Sequence, residues 1–369
     1  MKQVLLLSLI LGFGLYSTES KAQLFKLTTT DYGATLNANP GLKAAWDTEL
    51  STVQADINKE FPSTSNQQRF MQGMANSSVM AGKGIGSDYA SRMKVVMIGA
   101  GVGVGADLEK DKATGSDISG VGVQGGLMIG TNLGWLDTEK ILGLYTDRLN
   151  IYFNYLGYDL DRKMGDANKD SLQADLKSFG FHASYDLVKP KGNSLVRWGG
   201  VKVHTGYEYN STRLTFTTDL NETINETISS GGASGTVTGT LTGKPAATID
   251  VNTHSIPVEV STNVQLLYFL SLYTGLGVDM NFGKAKAAGA LNADETNLTF
   301  DPTAPGPANE NMKVQAEANI SGSGNVDSFL TRAFAGVQIN LPYTNIFVQA
   351  DKSLGNDLIG ASAGLRFVY

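Results

Sequence analysis

A histidine and a serine that could carry out hydrolysis stand two positions apart, as His182 and Ser184. Side chains two positions apart on a β-strand share one face, so the imidazole could act as a base toward the hydroxyl. The opposite face of the same segment carries Phe179, Phe181 and Ala183. The histidine and the serine therefore lie on the polar face, and we interpret them as a polar pair inside the fold rather than as a catalytic site.

Two further patterns have a chemical interpretation that the surrounding sequence does not support. The glycine run "GAGVGVG" over residues 99–105 is similar to a dinucleotide loop, but such a loop requires a helix directly after it, and here the strand pattern continues. The three histidines, at positions 182, 204 and 254, have no metal-ligand spacing, and the chain has no cysteine. We therefore expect neither a cofactor nor a metal. The glycines fit a narrow interior in which another group approaches the strand closely.

Charged side chains recur at alternate positions, on the faces that are otherwise polar or glycine-rich. They are Lys202, His204, Glu208, Glu259, Asp279, Arg332, Asp351 and Arg366. Buried charges are tolerated when they are paired, so this set predicts a network of ion pairs that braces a closed interior. The alternative is the lining of a pore. We favour bracing, because side chains already fill the interior of a barrel of about eight strands.

The segments that carry these residues have the period-two pattern of β-strands. From about residue 88 onward, apolar and polar residues alternate along one segment after another, as in "LNIYFNYLGYDL" and "SIPVEVSTNVQL". Aromatic residues recur near the segment ends. The polar faces carry glycine, asparagine, glutamine and single charges, with fewer lysines and glutamates than the faces of solvated sheets. These features predict an all-β fold, an antiparallel transmembrane β-barrel of about ten strands over residues 86–369. Twelve strands are the alternative, if "MKVQAEANI" and part of the 210s form an extra pair.

Two long polar stretches, residues 221–248 and 289–311, interrupt the strands and are predicted to be long loops. The first is rich in threonine, serine and glycine, which indicates a solvated loop or an extended hairpin. An alternation of short and long connections is typical of outer-membrane barrels, whose short turns face the periplasm. Because a closed barrel pairs its last strand with its first, Phe367 and Tyr369 are expected to close the barrel. An aromatic residue at the end of an alternating strand also resembles outer-membrane barrels in general, and this resemblance implies that the insertion machinery recognises these two residues.

The N-terminal region has a different pattern. Residues 1–22 carry a lysine at position 2, continue through an apolar stretch and end in small residues, which is typical of a secretory signal peptide. Residues 23–85 carry amphipathic helices. One helix has a single apolar stripe, formed by Leu42, Trp46, Leu50, Val53 and Ile57. Because such a stripe must be buried, we expect it to contact a neighbouring subunit, the mouth of the barrel or a membrane surface.

The composition excludes two classes of protein. The chain has 369 residues, a formal net charge of −6 and a pI near 5.2. It has no basic patch with interleaved aromatic residues, so we expect no nucleic-acid partner. After the signal peptide, no apolar run approaches the length of a membrane-spanning helix, so a helical membrane protein is excluded.

Residues 86–209 resemble a known family. The stretches that carry the resemblance are "GSDYAS", "GAGVGVGADL", "LNIYFNYLGYDLD", "LKSFGFHASYDLV" and "LVRWGGVKVHTGYEY". They are similar to the leptospiral surface adhesins and to the related PopA-type outer-membrane proteins of predatory bacteria. The resemblance implies a β-barrel without enzymatic activity, whose copies assemble side by side into a ring of about five with lipid in the centre.

The resemblance and the strand pattern together predict a non-enzymatic protein of the outer membrane with a structural or lipid-sequestering role. Its expected partners are copies of itself, membrane lipids and the outer-membrane insertion machinery. A narrow passive porin is the alternative function. A surface adhesin and an outer-membrane lipid hydrolase are less favoured.

Overall fold

The computed structural model describes residues 25–59, 64–90, 93, 95–108, 118–164, 170–193, 195–292, 296–302 and 310–369. The predicted signal peptide, residues 1–22, lies outside the described residues. Three α-helices are present in the described part: α1 (Gly33–Ala38), α2 (Pro40–Lys59) and α3 (Thr64–Ala81). None of the helices described is long and apolar enough to cross a membrane.

The strands, in chain order, are β1 (Phe25–Asp31), β2 (Val96–Asp107), β3 (Gly120–Asn132), β4 (Lys140–Ile141), β5 (Leu144–Tyr145), β6 (Leu149–Met164), β7 (Asp170–Val188), β8 (Lys191–Gly192), β9 (Val196–Thr217), β10 (Leu220–Ser230), β11 (Ala233–Gly243), β12 (Ala246–Leu266), β13 (Leu270–Asn292), β14 (Thr296–Pro302), β15 (Glu310–Asn325), β16 (Phe329–Leu341), β17 (Thr344–Ser353) and β18 (Leu358–Val368). Nearly all of them belong to one antiparallel sheet.

Ten of these strands form a closed barrel, in the order β2, β3, β6, β7, β9, β12, β13, β16, β17 and β18. The ring closes because β18 pairs with β2, from Leu358 opposite Asp107 to Val368 opposite Met97. The predicted ten-stranded antiparallel barrel with an N-terminal helical segment is therefore confirmed. The alternative of twelve strands is wrong, since "MKVQAEANI" belongs to β15, which lies outside the ring.

The predicted loops are strands that extend the sheet beyond one end of the barrel. Residues 221–248 contain the β10–β11 hairpin, in agreement with the second of its two interpretations. A loop over residues 289–311 is wrong, because β13 continues to Asn292, β14 occupies Thr296–Pro302 and β15 begins at Glu310. The strand β13 pairs with β16 as far as Met280 and with β15 from Lys284 onward, so the sheet divides there. We call β10, β11, β14 and β15 the sheet extension.

The apolar stripe of α2 packs on the sheet extension of its own chain. Leu42 and Trp46 are buried in a cluster whose other members are Leu36, Ile228, Val237, Leu298, Phe300, Met312 and Val314. Leu50 is half-buried against this cluster, Val53 is exposed, and the side chain of Ile57 lies outside the described residues. The expectation that the stripe needs a neighbouring subunit is therefore corrected. The alternating apolar residues of β11, β14 and β15 supply the surface that covers it.

The predicted boundary between the helical segment and the barrel, at residue 86, needs a correction. The first strand of the ring begins at Val96, and residues 82–90 lie inside the barrel. We call α3 together with residues 82–90 the threading segment. We call β1, α1 and α2 the N-terminal module, which β1 attaches to the sheet extension by pairing with β15.

Candidate functional site: the filled lumen

The threading segment lies against a wall of inward-facing glycines. A Cβ atom added at Gly103 would be 2.2 Å from the carbonyl oxygen of Ala81, and one added at Gly105 would be 2.2 Å from that of Ser77. Ser77 Oγ also donates a 2.9 Å hydrogen bond to the carbonyl oxygen of Gly120. The glycine run of β2 is therefore explained by the close approach of a helix backbone, which no larger residue would permit.

After α3 ends at Ala81, the threading segment turns toward the centre of the lumen. Gly84 has a φ of +80°, a conformation that L side chains rarely adopt, and its neighbours include the side chains of Gln349 and Ser362. Gly86 packs against Asn154 and His182, where a Cβ atom would be 2.3 Å from the imidazole Nε2. Glycines on the segment thus complement the glycines on the wall, so the two surfaces meet without a gap for a side chain.

Arg332 of β16 is at the centre of a buried charge cluster. Its Nε donates to Asp279 Oδ2 at 3.0 Å, its Nη1 donates to Asp351 Oδ1 at 2.6 Å, and its Nη2 pairs with Glu259. All four side chains are buried. An unpaired charge in this place would be costly, so the cluster must be complete for the barrel to be stable. Such a cluster braces the three strands that carry its carboxylates.

The threading segment contributes a second cation and a phenol to the same cluster. Lys83 Nζ lies 2.7 Å from Glu208 Oε2 and 3.1 Å from Asp279 Oδ1. Tyr89 donates a 2.7 Å hydrogen bond from its hydroxyl to Glu259 Oε2. Lys83 and Tyr89 are fully buried. The wall and the segment therefore share one network of charges.

Arg366 of β18 holds the segment at a second point. Its guanidinium donates to the carbonyl oxygens of Gly84, at 3.2 Å, and Ser87, and it pairs with Asp88 at 3.4 Å. The guanidinium carbon also lies 3.7 Å from the centre of the Phe347 ring. A wall cation thus binds the backbone of the threading segment as well as its carboxylate, which fixes the height of the segment in the lumen.

The eight residues predicted for the lumen all lie inside the barrel, and seven of them contact the segment or the Arg332 cluster directly. Among the seven, the ring centre of His204 lies 4.8 Å from that of Tyr89, and its Nε2 lies 3.1 Å from Ser261 Oγ. The eighth, Lys202, pairs with Asp186 at 3.8 Å. Sequence reasoning missed Lys83, Asp88 and Tyr89. The sequence feature that could have pointed to them is a lysine between two glycines in "GKGIGSDY", which directly follows a helix.

The His182 and Ser184 pair is buried and faces the lumen. The partners of the Ser184 hydroxyl are Asn150, at 3.3 Å, and Tyr152, at 3.5 Å, while His182 Nε2 lies 3.9 Å from Glu208 Oε1. The serine is thus engaged by other groups, and neither side chain faces lipid. Among the described residues, no three His, Cys, Asp or Glu side chains are arranged to hold a metal ion.

The outer face of the barrel carries an apolar belt with an aromatic row above it. Outward-facing Val260 and Leu276 are 49% and 61% exposed. Toward the sheet extension, one row of directly paired aromatic residues crosses five neighbouring strands: Tyr155, Phe179, Tyr209, His254 and Phe282. Four residues farther along each strand, toward the sheet extension, the row consists of Asp159, Asp175, Arg213, Asp250 and Lys286. This sequence of apolar, aromatic and charged rows matches the boundary of a membrane.

A second group of exposed aromatic residues marks the other end of the barrel. Its members include Trp198, Tyr268, Phe269, Tyr343, Phe367 and Tyr369. The backbone of Tyr369 donates to Val96 at 2.9 Å and accepts from Val95 at 2.8 Å, so the last residue is part of the closed ring. Phe367 faces outward in the same strand, opposite Ile98.

Polar contacts tie the N-terminal module together outside the barrel. Trp46 Nε1 donates a 2.9 Å hydrogen bond to Thr29 Oγ1, which connects α2 to β1. The hydroxyl of Tyr32 donates to Asp47 at 2.7 Å, and Lys43 Nζ lies 4.0 Å above the Tyr32 ring. Partial burial raises the pKa of Tyr32, and the hydrogen bond to the Asp47 carboxylate raises it further. The phenol therefore stays protonated and keeps this contact at neutral pH.

A closed antiparallel barrel with an apolar belt, two aromatic belts and a polar filled interior defines the class of protein. The chain is a transmembrane β-barrel of the outer membrane. The family model described as Lsa36-like matches residues 25–369. The chain therefore belongs to the Lsa36-like family.

Comparisons with other proteins add likenesses at low identity. No curated protein matches the chain. Among solved structures, the Ralstonia pickettii toluene transporter TbuX has 8% identity and a TM-score of 0.24 over 81% of this chain and 99% of its own. The translocator domain of the autotransporter NalP from Neisseria meningitidis has 10% identity and a TM-score of 0.29, over 79% and 93%. A major outer membrane protein from Thermus thermophilus has 18% identity and a TM-score of 0.23, over 60% and 99%.

Proposed function

We propose that this protein is a non-enzymatic structural barrel, which acts through its outer wall and its extramembrane parts rather than through its lumen. The observation that carries the proposal is the threading segment, whose Lys83 and Tyr89 complete a buried charge cluster of the wall. A pore would need this cluster to be broken and its charges to be hydrated again. The filled lumen therefore counts against the alternative, a narrow passive porin.

Ion conductance tests this proposal. Purified protein reconstituted in planar bilayers is expected to pass no steady ionic current, because the threading segment fills the barrel. The experiment needs a positive control, a known porin reconstituted in the same way. A steady current from the wild-type protein would reject the sealed barrel and would make the porin the better account.

We further propose that copies of the barrel assemble side by side into a ring that encloses membrane lipid, as the resemblance to PopA-type proteins implies. One feature of the outer wall supports close lateral contact. Ala335, Ala350 and Ala361 are direct neighbours on β16, β17 and β18 and face outward, with Ala333 and Ala363 beside them. Small residues allow membrane-embedded surfaces to approach closely. The α2 stripe no longer supports a subunit contact.

The ring is tested by the mass of the complex in mild detergent, together with extraction of the lipid that copurifies. We expect a multiple of the monomer mass and tightly held lipid. Ala350→Phe is expected to release monomers, because it adds a large side chain to the alanine patch. Ala183→Phe is the matched control, since β7 stands across the ring from β17 and its alanine also faces outward. A wild-type monomer without lipid would reject the ring.

Two functions remain less favoured. Lipid hydrolysis has no accessible catalytic pair, because His182 and Ser184 are buried in the lumen. Surface adhesion is compatible with the N-terminal module and the sheet extension, which offer a folded surface outside the membrane.

A further inference from the structure

The two ends of the barrel differ in their connections. One end of the barrel is the end at which β2 begins and β18 finishes. The links between strands at this end are residues 133–148, 189–195, 267–269 and 342–343. We call it the junction end. At the opposite end, the extension end, the links include the sheet extension. Outer-membrane barrels have short turns toward the periplasm and long connections outside the cell. The junction end therefore faces the periplasm.

The threading segment crosses the barrel from the extension end to the junction end. Near its start, Gly73 contacts Gly120, the first residue of β3 at the extension end. Ala81 lies deeper, beside Gly103. Met93, which follows the segment, clusters with Met97 and other residues near the junction end, where β2 begins. Successive residues of the segment thus contact successively deeper positions of the wall.

The N-terminal module consequently lies beyond the extension end. Its β1 pairs with β15, with Phe25 opposite Ala318 and Leu27 opposite Ala316. Trp46 of α2 is buried between the sheet extension and the rest of the module. The chain therefore has its earliest described residues on one side of the barrel and the start of its first barrel strand on the other.

We propose that the barrel carries its own N-terminal region across the outer membrane and displays it at the cell surface. In this topology Phe25–Lys59 lie outside the cell, and the threading segment is the part of the chain that remains in the lumen after passage. An exported chain reaches the periplasm first, so residues ahead of the segment must cross the membrane during assembly of the barrel. This inference does not depend on the ring or on lipid binding.

The contacts of the threading segment explain why the passage stops where it does. Lys83, Asp88 and Tyr89 pair with three specific residues of the wall, namely Glu208, Arg366 and Glu259. Movement by one residue in either direction would separate these pairs in a buried place. The module outside adds a second stop, because α2 and β1 are folded against the sheet extension and are too wide to return through the lumen.

Single-cysteine labelling of intact cells tests this topology, since the native chain has no cysteine. Ala44→Cys reports on α2, where Ala44 is exposed. Leu354→Cys marks the extension end, in the link between β17 and β18, where Leu354 is 62% exposed. Leu142→Cys marks the junction end, where Leu142 is 98% exposed in the turn between β4 and β5. The probe is a maleimide on a poly(ethylene glycol) chain too large to pass porins.

We expect Ala44→Cys and Leu354→Cys to be labelled equally in intact cells, and Leu142→Cys to be labelled only after the outer membrane is permeabilised. Heat-modifiable migration on gels confirms that each variant contains a folded barrel. Protection of Ala44→Cys together with labelling of Leu354→Cys would overturn the proposal, because the module would then be periplasmic. Labelling of Leu142→Cys in intact cells would overturn it as well, because the barrel would be inverted.

Discussion

Arg332 of β16 donates a 3.0 Å hydrogen bond from its Nε to Oδ2 of Asp279 on β13, and both side chains are fully shielded from solvent. The other carboxylate oxygen of Asp279 lies 3.1 Å from Lys83 Nζ of the threading segment. One aspartate therefore joins a wall cation to a segment cation. The wall is not electrostatically complete without the segment, which is why we treat the lumen as sealed.

Replacing Lys83 with methionine should destabilise the barrel. The substitution keeps the length of the side chain but removes the Lys83 cation from Glu208 and leaves Asp279 with Arg332 as its cation in a buried place. Removing one partner of a buried ion pair costs about 3–5 kcal/mol. We expect the folded, heat-modifiable form to disappear at a clearly lower temperature than in the wild type, measured on gels over a temperature series.

The matched control for that experiment is Lys177→Met. Lys177 lies 2.7 Å from Asp175, the same distance as Lys83 from Glu208, but this pair is exposed on the outer face. Exposed ion pairs contribute little, because water and salt screen them. No change in unfolding temperature is expected. Equal losses in the two variants would show that burial does not set the strength of the lumen pairs.

On the outer face, a charged side chain should be tolerated outside the apolar belt but not within it. Val260→Arg and Leu276→Arg place a cation against lipid, which costs about 2–4 kcal/mol near the bilayer midplane. Gln173→Arg is the control, because Gln173 is exposed above the aromatic row, at the level of Asp161. The measurement is the yield of folded protein in the membrane. A loss for Gln173→Arg equal to that of the belt variants would contradict the assigned boundary.

Trp46→Ala should loosen the N-terminal module without opening the barrel. The substitution removes a buried side chain and its hydrogen bond to Thr29, and comparable truncations cost about 3–5 kcal/mol. We expect faster proteolysis of residues 25–59 in purified protein, while the barrel stays heat-modifiable and the mass of the complex is unchanged. Release of monomers would instead indicate that α2 lies at a subunit contact.

The wall of the barrel was predictable because its signal is local. In a strand that separates lipid from a polar lumen, every second residue reports its face, so the alternation around Val260 and Ser261 places one outward and the other inward. The same rule assigned the eight charged residues to the interior. Their partners were not predictable, since Arg332 and Glu259 are far apart in the sequence and meet only through strand order and register.

The role of the N-terminal region was not predictable from its own pattern. The stripe of α2 correctly indicated a buried face, but a stripe does not identify what covers it. Its cover includes Leu298 and Phe300, which alternate with polar residues over a stretch too short and too polar to be recognised as a strand. The glycines of β2 indicated a close approach, whereas the helix that approaches them could be identified only from the fold.

A wall substitution should open the lumen by displacing α3. At Gly122, a Cβ atom would be 2.4 Å from the carbonyl oxygen of Ser77 and 2.5 Å from Ser78 N, and these are backbone atoms that cannot rotate away. Gly122→Val is therefore expected to push the helix out of its place and to produce a steady ionic current in planar bilayers. Gly125→Val on the same strand is the control, because a Cβ there meets its nearest neighbours at 3.5 Å, an ordinary contact. The current is measured on the heat-modifiable fraction of each variant. A folded Gly122→Val protein that passes no current would contradict the assignment of α3 as the element that closes the barrel.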